Sequence, residues 1–166
     1  VKWLVSACVY YGGNGDMDLK LPPPVLLLIT LGGMYLLSMY WPLWIFSFWG
    51  QSMLVLIFSL AGTLVGLAGV MSFAKERTTV DPRNPHKASS LVTSGIYRFS
   101  RNPMYLGLLL FLIAAFLYLS ALSALVMIPL FIFYMNNFQI GPEEDVLEAI
   151  FGEEYRQYCE QVRRWC

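Results

Sequence analysis

Histidine occurs once in this chain of 166 residues and cysteine three times, and charged residues make up only 13% of it. Each shortage removes a class of chemistry. With His86 alone, and with cysteines only at Cys8, Cys159 and Cys166, no spacing suits a zinc or iron ion, so no metal is expected. No Ser-His-Asp arrangement with a usable base, Walker loop or GxGxxG fingerprint is present, which argues against hydrolysis and nucleotide chemistry. Lys plus Arg and Asp plus Glu number 11 each and the basic residues are scattered, so no nucleic-acid partner is expected. The cysteines are expected to be free thiols. Cys166 ends the chain, whereas a prenylation box needs its cysteine fourth from the end.

What the chain has instead is apolar bulk. Hydrophobic residues are 57% and aromatics 16% of the sequence, and the mean hydropathy is +0.57. That exceeds what a soluble domain of this size can bury, so the chain is expected to be an all-α, polytopic, integral membrane protein. Residues 1–20 read as a polar, disordered tail around Gly12-Gly13-Asn14-Gly15-Asp16, and residues 21–166 as one domain. Met17-Asp18-Leu19-Lys20 leads into the first span, and one reading is that translation starts at Met17. Mass spectrometry of the natively expressed protein would reject that by finding residues 1–16 attached.

Residues 21–74 contain no charge at all, 54 positions, enough for two spans of about 20 residues and a turn. Pro22-Pro23-Pro24 suits the start of the first, over 25–40, because proline is tolerated in a first helical turn. Trp41, Trp44 and Trp49 mark the turn at a bilayer interface. The second span, 52–73, carries Gly62, Gly66 and Gly69, a small-residue spacing that lets another helix approach closely. Residues 102–142 are again free of charge, 41 positions. One helix of that length would be about twice the hydrocarbon thickness, so a second hairpin is expected, 104–119 and 122–138, turning at Ser120-Ala121-Leu122-Ser123.

Between these blocks, residues 75–101 carry Lys75, Arg77, Arg83, Lys87, Arg98 and Arg101 against Glu76 and Asp81. That basic excess places the connection in the cytoplasm. With four spans both termini follow it there, and the expected location is a bacterial inner membrane. After Gly141-Pro142 the spacing of Leu147, Phe151, Tyr155, Tyr158, Val162 and Trp165 predicts an amphipathic, cytosolic C-terminal helix over 143–165, which Gly152 can kink. Its early acids, Glu143, Glu144, Asp145 and Glu148, suit the helix dipole whether or not any of them meets a ligand. Segments 75–101 and 143–165 therefore form one polar cap. In it Arg98 and Arg101 on one side, and Glu143 and Glu144 on the other, can hold a zwitterion by both charges.

The stretch Leu91-Val92-Thr93-Ser94-Gly95-Ile96-Tyr97, then Arg101-Asn102-Pro103-Met104-Tyr105-Leu106-Gly107, then Glu143-Glu144 with Phe151-Gly152-Glu153-Glu154-Tyr155, resembles the isoprenylcysteine carboxyl methyltransferase family. Phospholipid methyltransferases share a looser form of the pattern. The resemblance covers residues 73–165. It implies a membrane methyltransferase that uses S-adenosylmethionine, with the cofactor in the cap and a lipophilic acceptor, a small molecule or a lipid, arriving from the bilayer. Carried over by position, the cofactor contacts are Leu91, Val92, Tyr97, Asn102, Pro103, Met104, Tyr105 and Glu143. Two departures bear on the acceptor. Asn102 stands where the prenyl-cysteine enzymes have a histidine, and Gln139 stands where they have an arginine implicated in substrate binding. Arg101 is expected to position substrate or to brace the cap, its alternative being an interfacial arginine that snorkels. Glu144 or a tyrosine is the nearest group to take a proton if the acceptor is an amine. Two other readings are an NADPH-binding membrane protein of the sterol-reductase type and a non-enzymatic membrane adaptor.

Overall fold

The computed structural model describes residues 9–11, 17–19, 21–76 and 91–166, with side chains over 21–72 and 91–166. His86, Cys8 and most of the basic 75–101 connection lie outside the described residues. Near the N-terminus two three-residue strands, β1 (Val9–Tyr11) and β2 (Met17–Leu19), pair antiparallel. The remaining described chain is helices and their turns.

Helix α1 spans Pro23–Tyr40, beginning two residues before the expected position because Pro23 and Pro24 occupy its first turn, where a missing N–H costs nothing. Helix α2 spans Gln51–Glu76 and α3 spans Pro103–Leu119, again with proline in the first turn. Three helical stretches, Pro23–Tyr40, Gln51–Ser72 and Leu122–Phe151, are long and apolar enough to cross a membrane, and Pro103–Leu119 is a shorter apolar helix. Only 11% of the α2 stretch is buried. Leu56, Leu60, Leu64, Leu67 and Met71 stand on its open surface. A stripe of that size is at home in hydrocarbon and not in water.

Glycine sets how α2 meets α3. A Cβ on Gly107 would lie 2.8 Å from the Gly62 carbonyl oxygen and 3.1 Å from the Gly66 Cα, and one on Gly69 would lie 2.8 Å from Met104 Cγ. The backbones therefore touch, and dispersion between them replaces side-chain interdigitation. A second core forms where α1, α3 and the following helix meet, with Met34, Leu112, Ala124, Phe131, Met135 and Ile140 almost wholly buried.

At one end of the bundle, Ser120 takes the left-handed conformation (φ 58°) and ends α3. Its carbonyl accepts the Phe46 N–H at 3.0 Å, and the Leu122 N–H donates to the Leu43 carbonyl at 2.9 Å. The Gln51 amide bridges to the Leu117 carbonyl at 2.6 Å and to Ser120 Oγ. The turn expected at 120–123 is thus fastened to the 41–50 connection, whose Trp41, Trp44 and Trp49 are exposed.

At the opposite end the sequence expectation needs correcting. A short 3₁₀ segment, Leu122–Val126, leads into α4 (Met127–Tyr134), a π-helical segment Met135–Ile140 and α5 (Gly141–Phe151), so the helix does not stop at 138 or at Pro142. The Gly141 N–H reaches back five residues to the Asn136 carbonyl, and this wide turn accommodates the Pro142 ring, which would clash in a regular helix. Gly152, at φ 55° and ψ −121°, then breaks the chain into a separate helix α6, Glu153–Gln161. The single helix expected over 143–165 is therefore two, and its last four residues are not helical. Val162 is extended (φ −125°, ψ 130°).

Candidate functional site

The start of α3, the π segment and the start of α5 converge at the charged end. The Tyr105 hydroxyl donates to Glu143 Oε1 at 2.7 Å. The Gln139 amide donates to the same oxygen and lies 3.4 Å from the Tyr105 hydroxyl. Gln139 is 4% exposed, so its polar head is supplied with partners inside an otherwise apolar helix junction. Tyr105 and Gln139, 34 positions apart in sequence, thereby share one carboxylate.

Glu144 faces a different pair. Its Oε1 lies 3.2 Å from Arg101 Nη2 and accepts Arg164 Nε at 3.2 Å, while Arg164 Nη2 donates to Oε2. The side chains of Arg101 and Glu144 are 14% and 16% exposed, so this is a partly desolvated triad with two cations on one anion. Among the described residues Arg101 Nε is a buried donor without a hydrogen-bond partner, an arrangement that favours an incoming acceptor. Hydrogen bonding to Glu144 holds the Arg164 guanidinium further above its ordinary pKa.

Beside the triad lies a tyrosine cluster. Tyr155, Tyr158 and Val162 are buried, with Leu91, Leu147, Phe151 and Cys159 against them. The Tyr158 hydroxyl donates to the Tyr97 carbonyl at 2.7 Å and ties α6 to the 3₁₀ turn Gly95–Arg98. Burial pushes the Tyr158 hydroxyl up to about 12, with Arg101 pulling the other way. Burial also raises Tyr97, which feels Tyr158 and Glu143, and Tyr155, which feels Glu144. At neutral pH these phenols are hydrogen-bond donors, not proton acceptors.

The residues singled out from the sequence thus fall into groups. Tyr105, Gln139 and Glu143 touch one another, and Arg101 touches Glu144. Asn102 is held by the chain terminus, its Nδ2 donating to the Arg164 carbonyl at 3.0 Å. Pro103 is fully buried, and it and Met104 meet α2 at Gly69 instead of facing the acids. Leu91 packs on the tyrosines, and Val92 is buried nearby. Arg164, Ser100 and Asn136 were not singled out. Arg164 lies 20 residues from Glu144 across the Gly152 break, a separation no helical period reports.

Two apolar grooves lie along the helices. One, of about 290 Å³, is lined by Leu26, Thr30, Met127, Phe131, Tyr134 and Phe138 among others, and so runs up to the residue preceding Gln139. The other, of about 410 Å³, lies between α1, α2 and α3 around Leu31, Val55, Phe111 and Tyr118.

Residues 51–154 match the family model described as phospholipid methyltransferase. Among curated proteins, an uncharacterized protein of Haemophilus influenzae is 50% identical over 62 residues, 37% of this chain and 98% of the relative. The "Protein-S-isoprenylcysteine O-methyltransferase A" of Arabidopsis thaliana is 27% identical over 114 residues, 69% of this chain and 58% of the relative. The "Probable protein-S-isoprenylcysteine O-methyltransferase" of Oryza sativa subsp. indica is 26% identical over 116 residues, 70% of this chain and 61% of the relative. The chain thus spans about three fifths of the plant relatives' length. No solved structure matches it.

Proposed function

We infer, from the premise that this chain belongs to the phospholipid methyltransferase family, that it transfers a methyl group from S-adenosylmethionine to a lipophilic acceptor at a membrane surface. The observation that carries this reading is the shared carboxylate: Tyr105 and Gln139 hold Glu143 where the third apolar helix begins and the fourth ends. Four apolar helices cross the bilayer as two hairpins, with the charged end and both termini in the cytoplasm, since the basic connection belongs on that side.

The donor set fits the cofactor chemically. The methionyl part of S-adenosylmethionine is a zwitterion and its sulfonium a cation, so Glu143 and the faces of Tyr97 and Tyr105 suit the positive groups, while the spare donor of Arg101 suits a carboxylate. When bound, the cofactor would supply an electrophilic methyl carbon with a neutral thioether as its leaving group. The chain's own contribution is alignment and exclusion of water. Leu91, Val92 and Asn102 would flank the donor from the segment before α3, while Pro103 and Met104 seat that segment against α2 at Gly69. Glu144, occupied at both oxygens by guanidiniums, braces the site rather than removing a proton, and the protonated tyrosines do not remove one either. A nucleophile that arrives able to attack, a carboxylate or a thiolate, therefore suits these groups better than a protonated amine, and Gln139, neutral where the prenyl-cysteine enzymes have an arginine, weakens the case for the carboxylate. The groove lined by Phe131, Tyr134 and Phe138 offers an apolar surface for the acceptor's hydrocarbon portion.

Isothermal titration of the purified chain in detergent tests this. Micromolar binding of S-adenosylhomocysteine, with none of NADPH, is expected, and Glu143→Gln should weaken it at least tenfold. The reverse preference, or binding of neither, overturns the reading. A lipid extract incubated with methyl-labelled S-adenosylmethionine should yield one labelled acceptor class by mass spectrometry.

A further inference from the structure

The residues that follow α6 reach back to the site. Beyond α6 the chain leaves the helix at the extended Val162 and runs past the entrance to α3. The Arg101 N–H donates to the Arg163 carbonyl at 3.1 Å, and the Arg164 carbonyl takes the Asn102 side-chain amide at 3.0 Å with Ser100 Oγ at 3.5 Å. The Arg164 guanidinium grips Glu144, and the Trp165 indole donates to Asn136 Oδ1 at 3.0 Å in the π segment. Three consecutive residues, Arg163, Arg164 and Trp165, thus stitch together the three elements that carry the site. Arg163 itself points outward and Arg164 inward.

The contact with Asn102 has a chemical consequence. A carbonyl oxygen can only accept, so the nitrogen of the Asn102 amide must face Arg164 and the oxygen must face away. That oxygen has no hydrogen-bond partner among the described residues. Without the chain terminus the amide would be free to turn and to offer either end.

We infer that residues 162–165 are a strap belonging to the donor site, in which Arg164 is a positioning residue. Its carbonyl fixes Asn102 as a hydrogen-bond acceptor toward the bound donor, and its guanidinium fixes Glu144, and through it Arg101, in place. This rests on the methyltransferase reading and goes beyond it by assigning a role to a segment outside the matched 51–154 region. The partner of Asn102 is accordingly a hydrogen-bond donor, an ammonium or an aromatic amino group, and not a carboxylate.

The test uses the full chain in detergent and S-adenosylhomocysteine as the probe. Titrations are run below the unfolding midpoint of each variant, with folding checked by gel filtration and circular dichroism. Arg164→Met is expected to weaken binding at least tenfold and Arg164→Lys less, since lysine keeps the charge but not the planar fork. Arg156→Met, which removes an exposed cation paired with Glu148, is expected to leave affinity unchanged. Equal affinities for the wild type and both Arg164 variants would overturn the strap and leave the methyltransferase reading standing. A matching loss in Arg156→Met would also overturn it, by showing that only net charge matters. No binding to the wild type overturns both readings. Should Arg164→Met fail to fold, Arg164→Lys carries the test. A raised KM for S-adenosylmethionine with kcat nearly unchanged supports the strap, and wild-type values for both constants overturn it.

Discussion

The two ends of the bundle are closed in the same way and equipped differently. At the aromatic end, backbone bonds from Phe46 and Leu122, with the Gln51 amide, fasten the 41–50 connection to the turn after α3. At the charged end, backbone bonds to Arg163 and Arg164 fasten the chain terminus to the residues before α3. Each clasp joins segments more than sixty residues apart. Yet residues 21–72 contribute no charge to the first, while the second gathers Arg101, Glu143, Glu144 and Arg164. Closing a helical bundle does not require ions, and the proposed function places its chemistry at the end where they gather.

That contrast can be broken by substitution. The largest effect is expected from Glu144→Leu, which strands two guanidiniums. Removing one partner from a buried ion pair costs about 3–5 kcal/mol, and the partial exposure here places the loss near about 3 kcal/mol, read as a lowered unfolding midpoint in denaturant. Donor binding should be lost with it. A variant that keeps both would deny the charged end its special status. Gln51→Ala, at the other end, is expected to cost about 1–2 kcal/mol for its lost hydrogen bonds while methyl transfer at a temperature below unfolding stays at the wild-type rate. A matching loss of rate would mean that the two ends are mechanically coupled.

The mildest effect separates the ends by pH. Tyr158 has a folded-state pKa of about 12 against an ordinary value of 10.0, so the native state resists its ionisation. Its contribution is intact below pH 10 and is lost as the pH rises towards 12, because the unfolded chain there binds fewer protons than the folded one. Unfolding midpoints should therefore fall across that window, and Tyr158→Phe should show a shallower fall. Identical slopes would place the titration elsewhere.

Much of this architecture was legible in the residues themselves. Charge-free runs located the apolar helices, the Gly62–Gly66–Gly69 spacing anticipated the close approach to α3, and Ser120 marked the turn. Tyr105, Gln139 and Glu143, each picked out by the family pattern, meet in the structure. What misled was locality. Pro142 reads as a helix stop, but the π turn before it lets the helix continue. Val162 and Trp165 continue the helical period, but the helix ends at Gln161 and tertiary hydrogen bonds hold the following residues against the start of α3. The Arg164–Glu144 pair depends on the reversal at Gly152, and nothing in either residue's neighbourhood announces it.

The wide turn ahead of Pro142 also fixes an angular phase. Each residue advances a regular helix by roughly 100°, so deleting one position within 135–140 to restore ordinary pitch would swing every later side chain around the axis by about that much. Glu143 would leave Tyr105, and the neighbouring acid would lose both arginines. A single surplus residue, buried in an apolar helix and bearing no charge itself, thus decides which way the acids point.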